Sequence, residues 1–288
     1  MTNAAAKTGL GPTAMVAVEQ NFPEPQRIIA DDLALRMLPF GGRAFVRATR
    51  YSPLRNWMVR SIEKNDPGLW AAMTCRKRYI DEKLAKAANG IEAVVNLGAG
   101  FDTRMYRLPL NGARIWEVDQ AINVRAKTAR LRKIFKDIPP HIALVAMDFD
   151  TDDLSFVLTS HGYGAGKRTF IVCEAVSQYL TEVRFKKIFD AFARAATGSL
   201  LAFTYVRKDF LEGRAMYGWT SAYERFVTKG KLWHFGLEPG AVQDFLDPYG
   251  WRVIEDVGYD VLAERYVKPT GRNLASTAVE RVVCAEKA

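Results

Sequence analysis

The residues best suited to chemistry in this 288-residue chain stand at the ends of short apolar runs. Val94-Val95-Asn96-Leu97 leads directly into Gly98-Ala99-Gly100-Phe101-Asp102. Glycines at such a turn let backbone approach a ligand where a side chain would stand in the way. Roughly twenty residues on, Ile115-Trp116-Glu117-Val118-Asp119 ends in carboxylates, where a nucleotide-binding α/β fold places the acid that accepts from an adenosine ribose. Asp119, at the very end, is the better placed of the two. Ala146-Met147-Asp148-Phe149 ends in an acid and an aromatic ring, which suit an adenine amino group and its flat face. Val172-Cys173-Glu174 ends in a further acid and is followed by Ala175-Val176-Ser177-Gln178-Tyr179-Leu180. Acids at the ends of successive elements describe a pocket for a nucleoside that carries positive charge.

These positions require elements that bring them to one edge. Seven short β-branched runs read as strands: Ala93–Leu97, Arg114–Val118, Ile142–Met147, Thr169–Cys173, Leu200–Tyr205, Trp251–Val257 and Val279–Ala285. Helical stretches near Ala121–Phe135, Asp152–Thr159, Glu182–Ala196 and Pro239–Leu246 alternate with them. The alternation predicts an α/β fold, a Rossmann-like, mostly parallel sheet of seven strands with helices on both faces. In such a sheet, ligands sit beyond the carboxyl ends of the strands at the switch point. Residues 21–90 show helical periodicity without strand alternation and read as a helical cap, and residues 1–20 read as a loose tail. The aromatic- and charge-rich stretch 207–236 interrupts the alternation and reads as a lid inserted into the 91–288 ligand-binding domain.

Two ligands compete for the glycine turn. A dinucleotide site wants a third glycine, and Thr103 stands there with Asp102 beside it. A carboxylate next to a pyrophosphate repels it, so NAD is disfavoured, whereas a cationic or zwitterionic ligand tolerates Asp102. Other motifs fall away. Gly162–Thr169 looks like a phosphate loop but has His161 where a glycine is needed and Arg168 after the lysine. His141, His161 and His234 are too far apart for a metal, and no Gly-x-Ser-x-Gly elbow suggests a hydrolase. Cys75, Cys173 and Cys284 are scattered, which suits a reducing cytoplasm. No apolar run reaches the ~20 residues of a membrane span. Lys+Arg 41 against Asp+Glu 32 leaves +9, a field that attracts acidic small molecules, nucleic acid or membrane surfaces, though no nucleic-acid-binding motif is present.

The set Asn96-Leu97-Gly98-Ala99-Gly100-Phe101-Asp102-Thr103-Arg104 resembles motif I of the leucine carboxyl methyltransferase-like group, which includes polyketide O-methyltransferases. The resemblance extends over about residues 70–288, through Arg76–Glu82, Glu117-Val118-Asp119, Asp148-Phe149, Glu174–Leu180 and the tail Glu264-Arg265-Tyr266 with Pro269–Arg272. It implies S-adenosylmethionine as cofactor. Gly98 and Gly100 would line its methionine part, with Ala99 and Asp102 in the same turn. Asp119 would hold the ribose, Asp148 and Phe149 would frame the adenine, Glu174 would lie near the amino group, and Arg76 or Arg78 would reach the carboxylate. The chain departs from the group where Arg76-Lys77-Arg78 offers two arginines for one role, and at Ser177-Gln178, where relatives carry apolar residues.

The acceptor's acidity decides what else the site must supply. A carboxylate is already ionised at neutral pH and needs only a cation to hold it, whereas an alcohol or phenol also needs a base. Tyr179, Tyr205 and Arg207 are candidate acceptor-side residues, and His234 is the one histidine considered as a base. The expectation is O-methylation of a carboxylate on a small acidic molecule. The alternatives are hydroxyl methylation of a polyketide-like or aromatic compound, a non-catalytic cofactor-binding protein, and a nicotinamide oxidoreductase. The oligomeric state stays open.

Overall fold

The structure, a computed structural model, describes residues 9–288. Its centre is an eight-stranded sheet: β1 (Ala93–Leu97), β2 (Arg114–Asp119), β3 (Ile142–Ala146), β4 (Thr169–Cys173), β5 (Leu200–Arg207), β6 (Gly236–Leu237), β7 (Trp251–Gly258) and β8 (Glu280–Lys287). The order is β3-β2-β1-β4-β5-β8-β7, with the two-residue β6 paired alongside β5. Neighbours from β3 to β5 pair in parallel, and β8 runs antiparallel to both β5 and β7. The β-branched runs form these strands because every residue of β1 and β4 is buried on both faces. The short β6, pairing Gly236 and Leu237 with Val206 and Arg207, adds to the seven strands expected from the sequence.

Helices α1 (Leu10–Glu19), α2 (Phe40–Ala48), α3 (Ser52–Asn65) and α4 (Leu69–Ala87) precede the sheet. Within and after it come α5 (Arg104–Arg107), α6 (Ala121–Phe135), α7 (Leu154–Ser160), α8 (Glu182–Ala191), α9 (Lys208–Leu211), α10 (Thr220–Tyr223), α11 (Val242–Leu246) and α12 (Tyr259–Tyr266). One face of the sheet packs Val95, Leu97, Trp116 and Val118 with Leu158, Phe185, Phe189 and Leu246 from α7, α8 and α11. The other packs Val94, Ile115, Phe170 and Val172 with α4 and α12 through Cys75, Tyr79, Ile80, Leu84 and Leu262. Side-chain oxygens begin two of these helices, with Asp153 accepting from the Phe156 amide (2.7 Å) and Thr181 from that of Arg184 (3.4 Å).

The N-terminal reading needs two corrections. Leu10–Glu19 is a helix inside a third apolar cluster with Leu38, Val46, Val59 and Trp70, not part of a loose tail; residues 1–8 lie outside the described residues. Its unbroken Met15–Val18 run shows no amphipathic stripe because these residues are buried on all sides. Burying each Val stabilises the cap by about 1.5–3 kcal/mol. Glu19, fully buried, locks the helix down by accepting from Trp70 Nε1 (2.7 Å), Arg272 Nη1 (2.6 Å) and the Ile28 amide (2.7 Å). Residues 27–39 form bends and irregular backbone with one turn at 34–37, not the helix that their periodicity predicts. Asp31 Oδ1 accepts from the amides of Leu33 and Ala34 and ties the backbone into a local turn that competes with helix.

Candidate active site

Register decides which chain ends meet. Leu97 of β1 stands beside Val118 of β2 on one side and Cys173 of β4 on the other. The next residues, Gly98, Asp119 and Glu174, therefore emerge side by side where the strand order reverses. All three line a cavity of about 300 Å³. Gly98 is at φ +64°, and a β-carbon there would come within 2.3 Å of Val176 Cγ2, so the turn requires glycine. Gly100, at φ +43°, donates its amide to Asp119 Oδ2 (2.6 Å), while Asp119 Oδ1 accepts from the Gln120 amide (2.6 Å) and Asn123 Nδ2 (2.8 Å). The acid that ends β2 thus also shapes the glycine turn and the start of α6.

Behind the turn lies a buried ionic network. Arg104 is fully buried; its guanidinium reaches Glu174, Asp102 (2.9 Å) and Asp81 (3.3 Å). Arg76 binds Glu174 (2.9 Å) and Glu280 (2.7 Å), and Lys77 lies 3.3 Å from Glu174 and 3.9 Å from Asp102. Arg107 pairs with Asp81 and stands 3.7 Å from Asp31. Four cations face five carboxyl groups beside the cavity, and burial raises one of the five, Asp81, against the pull of Arg104 and Arg107. Burial raises the Glu174 carboxyl, but Lys77, Arg104 and Arg76 outweigh it and hold the group at about 2, below the ordinary 4.5. Asp102 is likewise raised by burial and carried further down by Arg104, Lys77 and Lys127.

A carboxyl depressed in the folded state contributes stability in full above its unfolded value and loses it as pH falls through the folded one. Stability is therefore expected to drop as pH falls from about 4.5 toward 2, and Glu174→Gln should flatten part of that fall. Denaturant midpoints measured through the window check this; parallel curves for the two proteins would refute it.

The structure separates the residues expected at the site. Gly98, Ala99, Gly100, Asp102, Asp119, Glu174, Arg76 and Tyr179 line the cavity. Between the two arginines the geometry favours Arg76, because Arg78 points the other way, bonding Glu82 (3.0 Å) and the Ile28 carbonyl (2.9 Å). Glu117 does not line the cavity: it is buried against Lys127 (2.8 Å) and accepts from the Tyr106 hydroxyl (2.7 Å). Phe149 packs into the core beneath the sheet and borders a second, smaller cavity, and Asp148, just past β3, is outside the lining. Tyr205 lies in the core with its hydroxyl on Asp256 (2.9 Å), because the alternation of β5 turns it away from the cavity. Arg207 is clamped by Asp209 (2.6 Å). His234 is exposed and outside the lining, its amide held by the Gln178 carbonyl (2.6 Å).

Residues not singled out from the sequence complete the walls. Asn96 is buried, lines the cavity and has an Nδ2 without a hydrogen-bond partner. Asp66, at the end of α3, accepts from Arg225 at 3.2 Å through Oδ2, while its buried Oδ1 has no partner. Arg225 lies over the Phe226 ring (4.6 Å), which stacks on Trp233; with Trp219 these close the cavity from the 207–236 segment. Asn96 and Gln178 sat inside segments already flagged. Asp66 and Arg225 lie 159 positions apart and carried no local signal.

The sequence profile described as Leucine carboxyl methyltransferase matches residues 9–193. The chain belongs to this family. A protein of Mycolicibacterium paratuberculosis, provisionally named an S-adenosyl-L-methionine-dependent methyltransferase, is 29% identical over 279 residues, covering 88% of this chain and 87% of its own. One of the same name from Mycobacterium avium is 30% identical over 199 residues, covering 65% of this chain and 63% of its own. Among solved structures, a Thermobifida fusca protein provisionally assigned as a methyltransferase has TM-score 0.57 at 16% identity, covering 81% of this chain and 88% of that one. A Streptomyces avermitilis protein of the DUF574 family has TM-score 0.52 at 14% identity, covering 83% and 92%. These last two likenesses establish the fold, a Rossmann-like α/β sheet. Among the described residues no group of His, Cys, Asp and Glu forms a metal site, and no helix is long and apolar enough to cross a membrane.

Proposed function

We propose that this family member is an S-adenosylmethionine-dependent O-methyltransferase that esterifies a carboxylate of a small organic acid. The family and its named relatives support the cofactor and the methyl transfer, and the cavity fits that cofactor on its own terms. Asn96 Nδ2 is buried there without a partner, the glycine turn at Gly98 and Gly100 brings backbone to the cavity wall, and Asp119 and Glu174 set carboxylates in the lining. Asp119 would accept from the ribose, Arg76 would take the carboxylate of the methionine moiety, and Glu174 would face its ammonium. When bound, the sulfonium supplies an already activated methyl group. The protein's share is placement and exclusion of water, and orientation alone can supply up to ~7–11 kcal/mol.

The carboxylate reading rests on Arg225. Its guanidinium stands in an aromatic part of the lining, beside Phe226 and near Trp219 and Trp233, where it suits an anionic acceptor that needs no base. Arg225→Ala is expected to lower kcat/KM by about 10–100-fold, mostly through KM, as for a lost hydrogen bond to a charged group. A second reading, hydroxyl methylation, is favoured by Asp66, whose unpartnered Oδ1 could take a proton. Alkaline treatment of radiolabelled product separates the two: an ester releases volatile methanol, and retention of the label would overturn the carboxylate reading.

A further inference from the structure

Residues 33–62 contain six arginines and no Asp, Glu or Lys. They span the turn before α2, α2, the joint and α3 short of its last residues Glu63–Asn65, and expose four large aromatic side chains: Phe40 (78%), Phe45 (47%), Tyr51 (69%) and Trp57 (63%). A soluble surface scatters single apolar residues; four exposed rings within eighteen positions are an unusual concentration. Arg47, Arg50 and Arg60 are exposed among them, and none takes part in an ion pair among the described residues. The inward faces are already used: Val46 and Val59 bury against α1 and α4. The rings are therefore not the exposed edge of an unfinished core.

We infer that this face docks on an anionic lipid surface. Aromatic rings beside arginines on the outward side of amphipathic helices suit the headgroup boundary, the rings entering the interface and the guanidinium groups meeting lipid phosphates. A second copy of the chain is a poor occupant, because a two-fold contact would set this acid-free arginine patch against itself. A single-stranded nucleic acid is favoured by a basic groove lined with stacking rings, whereas these rings stand on the outside of two helices. The proposal is independent of the methyl acceptor. It does place the docking face on the cap that walls the cavity, since Asp66 follows α3 and α1 contributes Pro12 and Met15 to the lining.

The test is co-sedimentation of the full chain with vesicles of phosphatidylcholine alone and with about 30% phosphatidylglycerol at low and physiological salt. Binding to the anionic vesicles, weakened by salt and lost with phosphatidylcholine alone, is the expected result. Arg47→Glu and Arg60→Glu should each weaken partitioning by about fivefold or more, and Phe40→Ala with Trp57→Ala should weaken it further. These side chains are exposed, so the melting temperature and its shift with S-adenosylhomocysteine should match the parent's, which separates a docking defect from misfolding. Equal partitioning of parent and variants, binding only to RNA, or a dimer in light scattering that the same substitutions dissolve would each overturn the inference.

Discussion

Arg104→Met is expected to lower unfolding stability by about 3–5 kcal/mol, because removing one partner leaves buried charge uncompensated. Arg104 is fully buried and serves Glu174, Asp102 and Asp81 at once. Methionine fills much of the volume but strands five carboxyl groups against three cations. Arg104→Lys restores charge without the planar fork, so its stability should fall between the two. A shifted denaturant midpoint at constant slope would register the loss. A change below about 1 kcal/mol, as for an exposed pair, would show that the network does not depend on this guanidinium.

Asp119→Ala is expected to weaken S-adenosylhomocysteine binding by about 10²-fold or more, as hydrogen bonds to a charged acceptor contribute about 1.5–3 kcal/mol each. A ligand at about 100 times its dissociation constant adds roughly 2.7 kcal/mol of stability, and a hundredfold loss of affinity leaves about 0.4 kcal/mol. The thermal shift should therefore nearly vanish. The free protein should lose only about 1–2 kcal/mol, the scale of a lost helix cap, since Asp119 also holds the amides of Gly100 and Gln120. An unchanged dissociation constant would remove Asp119 from the ribose role.

The strands, most helices and the glycine turn were legible because their signals are local. Ala93–Leu97, Thr169–Cys173 and Ala121–Phe135 stand where their apolar patterns put them. Gly98, Asp119 and Glu174 were legible for the same reason: each ends or directly follows a strand, and parallel pairing brings those ends together. Where local signals mislead, a particular neighbour decides. Leu10–Glu19 resembles a tail until Trp70 and Arg272 claim Glu19. Tyr205 and Arg207 follow the pattern of a strand end near a ligand, yet Asp256 and Asp209 hold them elsewhere.

The amino-acid order by itself determined the α/β alternation, the glycine bend and the row of acids after the strands, since strand periodicity and backbone freedom act over a few residues. Only the tertiary structure decided which arginine, Arg76 or Arg78, turns toward the cavity, which acids are neutralised by Arg104, and that Asp66 meets Arg225 across it. Those outcomes depend on contacts between residues as much as 204 positions apart, as between Arg76 and Glu280. At that separation, charge and hydrogen-bond partners are chosen by packing, which no short stretch of sequence encodes.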